Sequence, residues 1–167
     1  LGSLGGAESA AYAVNNSGQV VGISSIAANT TGWHAFLYDT IHGMIDLGTL
    51  GGAFGTASDI NDRGQVVGSS ATGIDGIGWH GFLYDSGKMW DLNDLLHEPS
   101  TNWTIDEAIG INSNGCIVGT GYNKETGQSG AVLLTPIVPE PATMLLLGLG
   151  LGGMAMRRKL RRCAKDL

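Results

Sequence analysis

Charge is scarce in this chain of 167 residues: Lys, Arg, Asp and Glu together make up 14% of it. Basic charge is almost missing from most of its length. Residues 1–138 hold three basic residues, Arg63, Lys88 and Lys124, against thirteen acidic ones, a net of −10. Phosphate binding needs clustered Lys and Arg, so nucleic acid is not expected as a partner. With two cysteines, Cys116 and Cys163, the chain has no disulfide framework to hold a small fold. It has no initiator Met and no secretory signal peptide, and it opens at Leu1 inside a motif that returns later. The expectation is a lost N-terminus that carried a signal sequence and further repeats.

Glycine, in contrast, is abundant, at 28 of 167 residues. Collagen would need it at every third position, which is not seen. With few charges and scattered aromatics, this much Gly suits many short strands joined by tight turns.

Three blocks recur in order. Leu1-Gly-Ser-Leu-Gly-Gly6 returns as Leu47-Gly-Thr-Leu-Gly-Gly52. Asn15-Asn-Ser-Gly-Gln-Val-Val-Gly22 returns as Asn61-Asp-Arg-Gly-Gln-Val-Val-Gly68, then as Asn112-Ser-Asn-Gly-Cys-Ile-Val-Gly119. Trp33-His-Ala-Phe-Leu-Tyr-Asp39 returns as Trp79-His-Gly-Phe-Leu-Tyr-Asp85 and fades to Gly130-Ala-Val-Leu-Leu134. The units are 1–46, 47–91 and a divergent 92–136.

Each unit reads as four short strands. In the first unit these are Ala10–Asn15, Gln19–Ser24, Trp33–Asp39 and Met44–Leu47, with a turn at Asn15–Gly18. Asn suits the first turn position, Gly supplies a positive φ at the last, and Val20 and Val21 favour a strand. In the third strand, Trp33, Ala35 and Leu37 share one face while His34, Phe36 and Tyr38 share the other. Four strands in about 45 residues is the size of one β-propeller blade, and a closed propeller takes at least about four blades. With three units visible, the chain is either a truncated propeller or an open stack of small sheets; the rungs of a β-solenoid are usually shorter. The fold class expected is all-β: a partial β-propeller-like array of about three four-stranded repeats, followed by a single C-terminal transmembrane helix.

The blocks Leu47–Gly52, Ile60–Gly68 and His34-Ala-Phe-Leu37 resemble the HAF repeat of bacterial extracellular proteins. The resemblance covers about 1–136 and implies an exported, propeller-like repeat protein without implying an activity. The third unit has lost the His-Ala-Phe and gained an insertion, Leu95–Thr104, a decay that suits a terminal capping unit.

Residues 137–167 differ in kind. Val138-Pro-Glu-Pro-Ala142 precedes an uncharged run, 142–156, and the basic stop Arg157-Arg-Lys-Leu-Arg-Arg162. Fifteen residues of helix reach about 22 Å, short of the ~20 residues of a usual span. Bilayer thinning and snorkelling of Arg157 and Arg158 close the gap. The positive-inside bias puts Arg157, Arg158, Lys159, Arg161 and Arg162 in the cytoplasm and the repeats outside, with membrane lipid around the helix. A buried core helix is the alternative. Motif, apolar segment and basic end in this order resemble the PEP-CTERM sorting signal, read by exosortase, a membrane protease-transpeptidase of Gram-negative bacteria. That resemblance implies an exosortase-type processing enzyme as partner. Val138, Pro139, Glu140, Pro141 and Ala142 would be the recognition motif, and the mature chain would end at the cell surface or outside the cell. Two prolines keep the motif extended and unable to pair, so that a protease groove can receive it.

Other motifs carry less. Gly148–Gly153 fits G-x-G-x-x-G but lacks the strand before it and the acidic residue after it that a dinucleotide site needs. Asp59–Gly64 fits part of a calcium loop with Arg63 at a ligand position, and reads better as a hairpin turn. His34 and His80 follow the repeat, as structural residues do; His42 and His97 read as loop residues. Asp39, Asp46, Asp85 and Asp91 read as turn residues. Cys116 takes a place held by Gln in the sister units and reads as passive. Asn15, Asn29 and Asn102 satisfy the N-glycosylation pattern, which polar loops often produce. No catalytic, cofactor or metal site is assigned, and the chain is expected not to be an enzyme. The alternative is a secreted propeller-type enzyme acting on extracellular polysaccharide, with catalytic residues partly in missing N-terminal blades.

Overall fold

Each repeat unit forms the strands of one antiparallel sheet. The computed structural model describes residues 1–27, 32–73, 78–97 and 102–137, and the backbone of 160–162. The first sheet is β1 (Ser9–Val14), β2 (Val20–Ser25), β3 (Trp33–Asp39) and β4 (Gly43–Gly48), in chain order. The second repeats it with β5 (Gly55–Ile60), β6 (Val66–Ala71), β7 (Trp79–Asp85) and β8 (Lys88–Asp91). The third is built on β9 (Trp103–Ile111), β10 (Ile117–Asn123) and β11 (Gln128–Pro136).

The third unit corrects two expectations. Among the described residues it supplies three strands rather than four, and the outer place beside β11 is taken by the short β12 (Leu160–Arg162). Ahead of β9 stands a one-turn helix, α1 (Leu92–Leu95), for which no repeat position gave notice. Asp91 caps it by accepting the Asn93 N–H, while Leu92 and Leu95 are buried.

The connection between the first two strands of each unit is the same tight turn. Gly18, Gly64 and Gly115 donate their N–H to the carbonyls of Asn15, Asn61 and Asn112, at 3.0, 3.0 and 2.9 Å. Their φ values of 76°, 75° and 82° lie in the left-handed region that a side chain resists. The Gly that ends each Val-Val-Gly or Ile-Val-Gly run has another cause. A Cβ at Gly22, Gly68 or Gly119 would sit 2.0 Å from the carbonyl oxygen of Ala10, Thr56 or Glu107. In each unit the strand before it carries a bulge at that level, which pushes its backbone over the glycine.

The sheets pack face to face in series. Val21, Ala35, Leu37 and Leu47 of the first sheet meet Ala57, Ile60, Val66 and Phe82 of the second. Val67, Leu83, Leu92 and Leu95 meet Ile105, Ala108, Ile111, Ile117, Val132 and Leu134 of the third. The middle sheet is thus covered on both sides, and β6 is buried along its whole length. Both of its valines are sealed, Val66 against the first sheet and Val67 against the third. The face assignment of the third strand holds: Leu83 points to the third sheet and Phe82 to the first.

Candidate functional site

The turns form the most ordered polar feature of the body. Asn15 Nδ2 donates to Gln19 Oε1 in its own turn at 2.8 Å and to the Asn61 carbonyl of the next unit at 3.1 Å. Asn61 Nδ2 repeats this with Gln65 Oε1 at 2.9 Å and the Asn112 carbonyl at 3.0 Å. The Oδ1 of each accepts two N–H groups of its own turn. Asn16 donates its N–H and its side-chain amide to Asp62, holding that carboxyl below its usual range. The Asp59–Gly64 segment is therefore a hairpin turn, as expected, with Asp59 spent on the N–H of Ile111 at 2.8 Å. Asn15 is buried in the ladder, which leaves its side chain no room for a glycan.

Cys116 lies one residue ahead of β10, not within it, and is partly exposed. Its N–H donates to Asn112 Oδ1 at 3.0 Å. A Cys cannot offer the amide oxygen that Gln19 and Gln65 present, and among the described residues Asn112 Nδ2 has no acceptor.

The repeated histidines have carboxylate partners. His34 Nδ1 lies 2.9 Å from both oxygens of Asp46, and His80 Nδ1 lies 2.6 Å from Asp91 Oδ2. Each pair ties the third strand of its unit to the fourth. Asp46 and Asp91 are thus histidine partners as well as turn and cap residues, an addition to the sequence reading. The signal was available: both members recur together, 12 and 11 residues apart, and both are missing from the third unit. His42 sits in a turn against Asp39, whose carboxyl it holds low, first through its side chain and then its N–H. Asp85 accepts from Gln65 Nε2 at 2.9 Å. Asp106 is the exception: burial raises its carboxyl, against the attraction of His80. Among the described residues no group of three or more His, Cys, Asp or Glu is placed to hold a metal ion.

The tail motif begins two residues beyond β11. Val138, Pro139, Glu140, Pro141 and Ala142 lie outside the described residues, as do Arg157, Arg158, Lys159, the expected helix 142–156 and the glycines 148–153. Among the described residues no helix is long and apolar enough to cross a membrane. The backbones of Arg161 and Arg162 are placed, opposite Thr135 and Leu134. Paired strands stand about 4.8 Å apart, whereas the ends of a span are separated by a core of about 30 Å. The Pro136–Leu160 pairing and a span at 142–156 therefore exclude each other, and the basic end leaves the sheet whenever the segment crosses a bilayer.

The chain belongs to the family described as Protein of unknown function (DUF3466), whose model matches residues 4–143. The PEP-CTERM protein-sorting motif matches residues 138–159. That motif implies an exported protein, sorted to the cell surface and processed by an exosortase. No curated protein and no solved structure matches the chain.

Proposed function

We propose that this family member is a bacterial surface or extracellular-matrix protein whose HAF-like repeat body binds or builds, without catalysis, and whose tail is cut by an exosortase near Pro139-Glu-Pro141. The observation that carries it is the sorting-motif match at 138–159, starting two residues beyond the last long strand. Two prolines in the motif's sequence disfavour pairing and so suit a protease groove, and Glu140 offers a basic pocket one charge. The propeller-like reading of the body is supported by three sheets of the same chain order packed in series. The non-catalytic reading is supported by the work of His34 and His80, which tie neighbouring strands in both units alike.

The test is to express the complete gene in strains with and without exosortase and compare mature mass and location. The expected result is a shorter, surface-located product only where exosortase is present, and loss of that product in Glu140→Ala. The same mass and location in all three cases would overturn the sorting claim. An uncut but membrane-held chain in the exosortase strain would mean a permanent anchor instead.

One observation favours a second reading, a secreted polysaccharide-active enzyme. Asp106, raised by burial, lies within electrostatic reach of His80, whose Nδ1 is held by Asp91. The position that aligns with Asp106 one unit earlier is Gly55, so the repeat does not bring His34 the same carboxylate. Polysaccharide cleavage by the full chain, abolished in Asp106→Asn, would favour this reading over the first.

A further inference from the structure

The outer edge of the third sheet is closed differently from the other two. In the first two units the next strand in the chain closes the sheet: β4 pairs with Ala35–Asp39 of β3, and β8 with Phe82–Asp85 of β7. In the third unit β12 fills this place, and it reaches only Leu134, Thr135 and Pro136. Val118 stands opposite Leu133 as Val21 stands opposite Leu37, so Ala131, Val132 and Leu133 hold the places of Ala35, Phe36 and Leu37. Among the described residues, these three have no strand on their outer side.

An edge strand is a template for another strand unless charge, proline or a bulge blunts it. At the corresponding edges β4 carries Asp46, and β8 carries Lys88 and Asp91. β11 has no charged residue from Gln128 to Pro136. Its neighbour β12 brings two arginines in three residues. Three paired residues hold weakly by themselves. β12 stays because residues 137–159 tether it to β11, which makes the pairing an intramolecular event. Cutting that connection ends the tether, and drawing 142–156 into a bilayer pulls β12 away. Either way β11 is left without an outer neighbour.

We infer that the sorting tail guards the β11 edge, and that its removal lets two copies of the chain pair edge to edge through antiparallel β11 strands. The occupant is a second copy for two reasons. A strand without charge can lie antiparallel to itself with no like charges opposed. Every processed copy also bares the same edge, at the same step and the same membrane, so the partner arrives with the site. Such a contact is isologous and closes as a dimer. The inference rests on the proposed function for the step that takes the tail away in the cell.

The test uses the full chain with a site-specific protease site at 138–144 and with Cys116→Ser and Cys163→Ser. Thr135→Cys and Arg161→Cys are added at directly opposed positions of β11 and β12, so that oxidation fastens one to the other through the cut. Mass is read by sedimentation and light scattering in mild detergent. After cutting, the expected result is a one-chain mass while the disulfide is closed and a two-chain mass once it is reduced. Ala131→Lys, at an exposed position, should hold the cut and reduced chain at the one-chain mass by setting a charge on the edge. A one-chain mass after cutting and reduction overturns the inference. So does a two-chain mass with the disulfide closed, which would put the contact elsewhere, and so does pairing that Ala131→Lys leaves intact. Failure of the disulfide to form would mean that β12 does not guard β11, and would end it too. The cut is made without exosortase, so each of these outcomes leaves the sorting claim standing, and failure of the sorting claim leaves the edge measurement standing.

Discussion

Asn61 donates its side-chain amide to the main-chain carbonyl of Asn112, 3.0 Å away and 51 residues later in the chain. With the matching bond from Asn15 to Asn61, this links all three turns into one line along the stack. Each sheet is thereby registered on the next by a directional contact as well as by apolar packing.

Replacing Asn61 by Ala strips two N–H groups and the Gln65 amide oxygen of their Asn61 partner at a buried site, and leaves the Asn112 carbonyl with the Gly115 N–H alone. A loss of about 2–3 kcal/mol is expected in urea unfolding, since groups left buried without partners cost more than the bond itself was worth. Asn112→Ala, whose amide is spare and whose position is exposed, costs less. Equal losses would mean that the ladder does not couple the units.

Gly68→Ala is expected to cost about 3 kcal/mol or more, because the new Cβ meets the Thr56 carbonyl at 2.0 Å and backbone must move to admit it. Gly18→Ala also costs stability, through its positive φ, but there a Cβ would meet open space. Thermal unfolding of the two variants separates a steric from a conformational penalty: Gly68→Ala should be the more damaging by a clear margin.

Asp62 gives the body a pH dependence of known sign. Its carboxyl is held low by the N–H and amide of Asn16, so the folded chain binds a proton less readily than the unfolded one. The resulting stability is present above the unfolded pKa and is lost as pH falls through the folded value. Asp62→Asn should remove part of the drop in unfolding temperature on acidification while changing little at pH 7 to 8. An unchanged acid slope would show that the contact contributes nothing.

The strand formed by Leu160–Arg162 should be conditional. In the chain before membrane insertion, its amides are expected to exchange slowly with deuterium because they lie beside β11. After reconstitution into vesicles they should exchange at least tenfold faster while β9 and β10 stay protected, since spanning and pairing cannot coexist. Equal protection in vesicles would show that 142–156 does not cross.

Much of the architecture was legible because it repeats. The turn Asn15–Gly18, the third strand Trp33–Asp39 and its two faces follow from local preferences that act within a few residues, and recurrence marked which of them matter. The pairing of His34 with Asp46 had a recurrent signal but no local one, because nothing in a strand's own pattern says which neighbour its polar face will meet. Helix α1 and β12 had neither kind of signal: each occurs once, and each is stabilised by what lies beside it.

What the amino-acid order determined by itself is the unit: where strands start and stop, which turns need glycine, and that the last thirty residues obey a different logic from the body. What only the tertiary structure decided is the relation between units. Gly22, Gly68 and Gly119 look like ordinary strand glycines until the bulged neighbour is seen above them. Val67 and Val118 hold the same place in their repeats, yet one is sealed and the other half exposed, because burial belongs to the sheet that arrives on top and not to the residue beneath it.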